Sequence, residues 1–558
     1  MTCPHRAQSD AMPAKMPANI IDLSQLDCTK PKCPFKEGTC EICQEVIKVE
    51  NDIKETFERL KQLLRHQQDL KTRSNNTHSP IIRDLPAEIL SKIFYSCFSE
   101  EITRDDWELA YEDVFVPLKV GAVCRTWRQV AWSSPELWTF ILIERLYSSA
   151  TYVCKQYSML ERWIERSKYQ PISVYIYEDA MDSANVGVVP EGCDCWETTL
   201  QLLARCCDRW KNATLHLSKG SFKYIASSLK LKSPTKRLEL GSADSSWRPN
   251  PNNHPLGLWE EPRFGPDSIT INRPVLMHHF SIDWKRVTKV DVQGWPPGEC
   301  INLLKSALRL VSCSFREVGE YSRDSQPEQD WPVVCHASLR SLSFQCGSKP
   351  VSSFFDNVTV PSLDEFNYSY VRGHNPADMI ANSQFLPSFF SRSHFPLTRL
   401  SLVVPALTTD YLVSLLNLVP SLIHLSMHFS TSFSGGDQMK VIDHFLEHLS
   451  STAIFSIENG GDTSAHFLPR LETLELEKCG FNFPWSSLAD VFGDPFEPGR
   501  KGRRPLKSFV LGTRIPKPVI GLPEDVVQRL VGLQEAGVSL NYSVRSADGR
   551  SLVPVTWT

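Results

Sequence analysis

The segment Leu397-Thr398-Arg399-Leu400-Ser401-Leu402 returns 25 residues later as Leu422-Ile423-His424-Leu425-Ser426-Met427. The shared pattern is apolar-x-x-apolar-x-apolar. Its last three positions alternate, as a half-buried strand does. Working outward, the same pattern appears at Leu339/Leu342/Phe344, Leu363/Phe366/Tyr368, Leu471/Leu474/Leu476 and Leu506/Phe509/Leu511. Weaker copies are Leu238/Leu240, Val287/Val290/Val292 and Leu310/Cys313/Phe315. The central positions 290, 313, 342, 366, 400 and 425 are separated by 23, 29, 24, 34 and 25 residues. Positions 474 and 509 follow after 49 and 35, and the first of these gaps reads as two periods. Between the copies lie helical stretches at Cys300–Leu310, Asp410–Val419, Met439–Leu449 and Trp485–Phe492. A unit this short cannot bury its own apolar face, so neighbouring units must stack.

A period near 25 residues with this core resembles leucine-rich repeats. The resemblance implies a curved α/β solenoid over residues 141–558, with the strands on its concave face. The spacing is irregular and the family's consensus Asn is missing, so the loops must vary. Residues 241–268, 316–335 and Gly493–Arg504 read as loop insertions. Ahead of the repeats, Ser158–Ser167 reads as a helix, Ile172–Tyr177 as a strand, Leu200–Trp210 as a helix and Thr214–Leu217 as a strand. Strand alternation also makes a prediction about phase. Leu400 and Leu425 point into the shared core, and Ser401 and Ser426 to the opposite face.

Upstream, Pro80–Trp138 reads as three short helices. Pro86 suits a first helical turn. Ile89, Leu90, Ile93 and Phe94 recur at helical spacing. Val120, Val123, Cys124, Trp127, Val130 and Ala131 form a second apolar stripe, and Ser134-Pro135 opens a third helix. Fewer than 60 residues rarely close a core of their own. Some of these large apolar residues must therefore be covered by the next domain or by a partner. The motifs Leu85-Pro86-x-Glu88-Ile89-Leu90, Val123-Cys124-Arg125-x-Trp127 and Leu137-Trp138 resemble the F-box, the adaptor-binding module of SCF-type cullin–RING ubiquitin ligases. The resemblance places the module at residues 80–140. It implies an adaptor-binding set of Leu85, Pro86, Ile89, Leu90, Ile93, Val123, Cys124, Trp127, Leu137 and Trp138. The acidic and aromatic stretch Ser96–Val116 is longer than that family usually carries.

Residues 41–71 carry a heptad seam. Ile42, Val46, Val49, Ile53, Thr56, Leu60, Leu63, Gln67 and Leu70 are spaced alternately by four and three. Two arrangements fit it, a coiled coil that self-associates through residues 42–70 and a single helix folded back on the globular part. The polar run Thr72–Ser79 reads as a linker. Residues 1–40 read as a disordered tail. Cys28, Cys33, Cys40 and Cys43 lie there and at its edge; the last two form C-x2-C, half of a zinc site, but the six-residue loop before them is too short for a standard finger. The phrases Trp163-Ile164-Glu165-Arg166-Ser167 and Arg209-Trp210-Lys211-Asn212 are similar to a large fungal group of F-box proteins with a heptad helix ahead of the box.

Sixty basic and 64 acidic residues leave a net charge of −4, which argues against nucleic acid as the main ligand. Seventeen cysteines, an odd number, and an N-terminus without a signal-like apolar run predict thiols in a reducing compartment, cytoplasmic or nuclear. Tyr411–Met427 is the most apolar stretch, but Asn417, Pro420 and His424 interrupt it, so no membrane span is expected. His444-Phe445-Leu446-Glu447-His448 matches H-x-x-E-H, a zinc-peptidase signature, at a place where the repeat demands an outer helix. There is no phosphate-binding glycine loop and no nucleophile elbow. The basic run Arg500–Arg504 reads as a surface loop or a nuclear-import signal.

These readings combine into one expectation. The chain is α/β: an N-terminal helix, a three-helix F-box and an irregular leucine-rich-repeat-like solenoid. It is expected to be the substrate-recognition subunit of an SCF-type ligase, not an enzyme, with no cofactor or metal. Its partners would be a Skp-family adaptor, through it a cullin–RING ligase, and an unidentified protein substrate. The rival readings are a repeat scaffold without a ligase role and a metallopeptidase using His444, Glu447 and His448.

Overall fold

In the computed structural model, the alternating apolar residues of the repeat are strand residues that face one way in a parallel sheet. The structure describes residues 40–78, 85–97, 114–145, 150–178, 194–229, 233–243, 264–272, 282–319, 331–347, 351–370, 384–404, 408–429, 435–458, 467–479, 483–492, 506–513, 524–545 and 552–554. Cys28 and Cys33, Pro80–Asp84, most of Ser96–Val116, and the cores of the three insertions, the basic run among them, lie outside the described residues. The described residues include fourteen helices and fall into two units, Met1–Leu203 and Ala204–Thr558. Among them no helix is long and apolar enough to cross a membrane.

The first unit begins with α1 (Glu41–His78). The helical module follows: α2 (Ala87–Tyr95), α3 (Val116–Val123), α4 (Arg125–Ser133) and a 3-10 turn at Pro135–Trp138. Next come β1 (Phe140–Arg145), α5 (Ala150–Ser167) and β2 (Ile172–Glu178). β1 and β2 are parallel, in register from Phe140–Ser173 to Arg145–Glu178. Parallel pairing needs a long crossover, and α5 supplies it. Arg145 and the buried Glu178 form an ion pair at 2.9 Å across these strands. The unit boundary falls inside α6 (Cys195–Arg205).

The second unit opens with β3 (Trp210–Leu217), α7 (Lys219–Ser228), β4 (Arg237–Ser242), β5 (Ser268–Ile271), β6 (Lys289–Gln293) and α8 (Pro297–Ser306). It continues with β7 (Ser312–Val318), β8 (Ser341–Cys346), α9 (Ser352–Asn357), β9 (Glu365–Tyr370), α10 (Leu386–Ser393), β10 (Arg399–Val404) and α11 (Thr409–Leu416). It ends with β11 (His424–Phe429), α12 (Gly435–Glu458), β12 (Thr473–Cys479), α13 (Trp485–Phe492), β13 (Ser508–Thr513), α14 (Glu524–Glu535), β14 (Ser539–Arg545) and β15 (Leu552–Pro554). Spatial order follows chain order from β3 to β15, so the sheet is open; every pair is parallel until β15 joins β14 antiparallel.

The central positions read from the repeat are direct register partners. Val290, Cys313, Leu342, Phe366, Leu400, Leu425, Leu474 and Phe509 pair in sequence, and Leu540 continues the row. All nine are buried. Helices cover this face. Phe354 of α9 lies 4.7 Å from Phe344, Phe389 of α10 lies 5.8 Å from Phe366, and Trp485 of α13 lies 6.0 Å from Tyr542.

Several expectations are corrected. α1 does not stop at 71 but runs to His78; the segment contains no Gly or Pro, and the Thr72 and Thr77 hydroxyls donate to carbonyls one turn back. The second apolar stripe is two helices, because Cys124 is extended (φ −155°, ψ 173°) and caps α4. Trp210 begins a strand rather than ending a helix. The 49-residue gap is not two periods: β11 pairs directly with β12, and α12 lengthens the crossover. The first unit continues past the helical module to Leu203. Within it Trp138 packs edge-on against Trp163 of α5 at 4.6 Å.

The register makes a direct test possible. Leu400→Ala or Leu425→Ala should lower stability by about 2–5 kcal/mol through lost burial and a cavity. Ser401→Arg, on the half-buried opposite face, should stay within about 0.5 kcal/mol of the parent. Ser426 is only 5% exposed, so it cannot serve as the neutral control that strand alternation alone proposes. Thermal melts decide: equal losses at Leu400 and Ser401 would put the strand phase off by one.

Candidate functional site

Two surfaces stand out, one in each unit. In the helical module, Pro86 (φ −58°, ψ 150°) leads into α2. Helical spacing then divides the apolar residues of α2 between two faces. Leu90 and Phe94 are buried, whereas Ile89 and Ile93 are 42% and 43% exposed. Ser91 hydrogen-bonds the Glu136 carboxylate, tying α2 to the 3-10 turn. Behind it Leu137 and Trp138 are buried, and the Trp138 indole donates to the Ala131 carbonyl at 2.8 Å. The Cys124 thiol accepts from the Trp127 amide at 3.4 Å and starts α4. The Trp127 ring then lies 4.9 Å from Phe94.

A tryptophan stack holds this module. Trp132 meets Trp138 edge-on at 5.3 Å, and Trp138 meets Trp163 of α5. The Arg166 guanidinium sits over both Trp132 and Trp138, at 4.8 and 4.4 Å. The phrase Trp163-Ile164-Glu165-Arg166 is thus the lid of the module's core. Gly121 of α3 is required by the same stack, since a Cβ there would lie 2.0 Å from the Trp132 ring.

The ten residues expected to bind an adaptor separate into three groups. Pro86, Ile89, Ile93 and Val123 are exposed, Val123 by 56%. Leu85, Cys124 and Trp127 are half-buried beside them in sequence. Leu90, Leu137 and Trp138 are at most 1% exposed, so they hold the module together rather than present a surface. Tyr95, 55% exposed at the end of α2, was not part of the sequence-derived set, because motif spacing carries no signal for it. Ile89 and Ile93 lie one turn apart on α2 and so share one exposed apolar stripe.

The second surface is the sheet face away from the helices. Ser314, Ser343, Asn367, Ser401 and Ser426 are register partners on five adjacent strands and form a row of small polar groups. Charge brackets the row. On one side Arg316 bonds Asp291 at 2.6 Å and Asn272 at 3.2 Å, and Asn272 bonds Glu239 at 3.0 Å. On the other, His424 and His428 of β11 reach Glu475 and Glu477 of β12 at 3.5 and 2.9 Å. The hydrogen bond from His424 holds the Glu475 carboxyl below its ordinary range, against the opposing effect of burial, and Ser426 adds to the lowering. These polar residues occupy the positions between the apolar ones, so their clustering follows from the repeat, although their pairing is not visible in it.

Cys206, Cys207, Cys300, Cys313 and Cys346 of the second unit are buried in its core, whereas Cys335 is exposed. Burial pushes Cys300 and Cys313 well above the ordinary thiol value and Cys346 up to about 12. The peptidase-like residues lie on α12, where His444 and Glu447 are exposed and the His448 ring packs 4.8 Å from Phe467. Among the described residues no group of three His, Cys, Asp or Glu side chains is arranged to hold a metal ion. Cys40 and Cys43 sit at the start of α1 with sulfurs 3.4 Å apart. No family model matches the chain, and no curated protein matches it.

Two outcomes follow. Gly121→Ala should cost about 1–3 kcal/mol by overpacking against Trp132, read from chemical denaturation; an unchanged midpoint would mean the stack is not close-packed there. Glu475 supplies a pH test. Its folded-state pKa is lowered, so the pairing favours the folded state above the ordinary carboxylate pKa of about 4.3 and is lost as pH falls through the lowered value. Carboxyl-carbon NMR should show Glu475 titrating low, and His424→Ala should move it up. A titration that stays put would remove His424 as the cause.

Proposed function

We propose that this protein is the substrate-recognition subunit of an SCF-type cullin–RING ubiquitin ligase, with residues 80–140 as its F-box and the second unit as a leucine-rich-repeat-like solenoid. The observation that carries the reading is the division of the box motif. Pro86, Ile89, Ile93 and Val123 stand exposed on a module whose core is closed by Leu90, Phe94, Leu137 and Trp138. A module with its core already filled has no internal use for the exposed set, and a helix-on-helix partner of apolar complement uses it directly. In this reading that partner is a Skp-family adaptor, through which the chain joins a cullin and its RING subunit.

The second unit then holds the substrate protein. Its polar sheet row is the recognition surface favoured by the repeat architecture, because the concave side of such a sheet is long and its side chains vary independently of the core. The chain itself makes and breaks no bond. It raises the rate of ubiquitin transfer by holding the substrate close to, and oriented toward, the charged enzyme. The stretches of 20 or more residues between some strands leave the surface around this row variable without disturbing the register.

Binding to purified adaptor tests the reading. Leu85→Ala with Pro86→Ala, or Ile89→Asp with Val123→Asp, should weaken the complex by about 2 kcal/mol or more, roughly 30-fold. Because Ile89 and Val123 are exposed, the second pair should leave the circular-dichroism melt unchanged. Trp127→Ala is a poorer probe, since it also removes the contact with Phe94. Undiminished adaptor binding by both double variants would refute the F-box assignment.

A further inference from the structure

We propose that α1 is a dimerisation helix that pairs with α1 of a second copy of this chain in antiparallel orientation. Nothing in this inference depends on what the second unit recognises. The helix is 38 residues long, about 57 Å at 1.5 Å per residue. Its apolar seam lies open along this length: Ile42, Val46, Val49, Ile53, Leu60 and Leu63 are each 40–72% exposed. Residues repeating by four and three over four heptads form a straight stripe only on a helix that packs against another helix. A helix folded back on its own domain would have hidden the stripe, and here it is not hidden.

Charge selects the occupant and its direction. From Glu41 to Glu58 six carboxylates stand against two lysines; from Arg59 to Arg73 five cations stand against one carboxylate. The helix dipole favours acid at the start and base at the end, but only within the first and last turns. The acidic half continues for more than four turns, so another cause is needed. The positions flanking the seam show the segregation most clearly. Glu45, Glu50 and Asp52 flank it in the first half, and Arg59, Lys71 and Arg73 in the second. In a parallel, in-register pair the flanking positions of one heptad face those of the next, which sets Glu45 of one copy against Glu50 of the other. That pair repels, and the next flanking pairs, Asp52 with Phe57 and Arg59 with Leu64, set a charge against an apolar side chain, so the parallel pair gains no attraction from the segregated charge.

An antiparallel pair reverses this. The acidic half of each copy lies along the basic half of the other, and the attraction is made twice, once at each end. The seam also fits. Val46 of one copy meets Leu70 of the other, Ile53 meets Leu63, and Leu60 meets Thr56, whose hydroxyl is already turned back to the Asp52 carbonyl at 2.7 Å. This register centres the two-fold axis between Thr56 and Leu60. It is an isologous contact that closes on itself and leaves no free end to polymerise.

The full chain tests the proposal by sedimentation equilibrium across a salt series. An antiparallel pair held by opposite charges should be a dimer at low salt, and its affinity should fall as ionic strength rises toward about 1 M, where screening extends only about 3 Å. Glu45→Lys/Glu50→Lys/Asp52→Lys should weaken the dimer at least tenfold. Arg59→Glu/Lys71→Glu/Arg73→Glu should do the same. The sextuple variant carrying both sets restores opposite charges in the antiparallel arrangement and should recover the dimer. A chain that stays monomeric at low salt overturns the proposal, as does a dimer indifferent to both triple variants. A dimer that tightens with added salt, or a sextuple variant that does not recover, overturns the antiparallel orientation.

Discussion

In the second unit, one buried side chain per strand sits at a common register, from Ala213 through Leu238, Ile269 and Val290 to Leu540. In a parallel sheet a slip of one residue would turn every such side chain to the other face. The burial of this row therefore fixes where each strand begins, and everything beside the row is placed as a consequence. The polar residues between the apolar ones must line the opposite face. That is why Ser314, Ser343, Asn367, Ser401 and Ser426 form a continuous row, and why His424 and His428 meet Glu475 and Glu477. The crossovers are free to vary, since the register sets only their ends. A 24-residue helix lies between β11 and β12, while α9 between β8 and β9 has six residues.

The first unit solves a different problem. Its helices are short, nine residues or fewer in the module, and too few to enclose a core unaided. The stack of Trp132, Trp138 and Trp163, closed by Arg166, supplies the missing volume from α5. With the core closed by other residues, Ile89, Ile93 and Val123 stay 42–56% exposed. Their exposure is therefore informative in a way that an isolated surface leucine is not.

Much of this was legible in the sequence. The repeat phase gave the central row because burial there depends on alternation alone, and α13 was read to its exact ends because Trp485–Phe492 is apolar at helical spacing and bounded by Pro484. Other features depend on contacts that spacing does not encode. Leu90, Leu137 and Trp138 belong to the same motif as Ile89 and Val123, and only packing separates core from surface. Cys124 carries the apolar stripe in sequence yet interrupts the helix, because its extended backbone separates α3 from α4, where its thiol accepts from the Trp127 amide. Ser426 alternates outward as expected but is enclosed by His428 and Glu475 from its own and the neighbouring strand. Ser268, the first residue of β5, falls inside the stretch read as a loop insertion, because Ser268–Ile271 offers only two buried apolar residues.

The proposal that this chain delivers substrates to a ubiquitin ligase is tested most directly by affinity purification of the intact protein from cells, with and without inhibition of cullin activation. The account predicts recovery of a Skp-family adaptor and a cullin in both conditions, together with proteins whose amounts rise when the cullin is inhibited. Purification that yields neither adaptor nor cullin would contradict it.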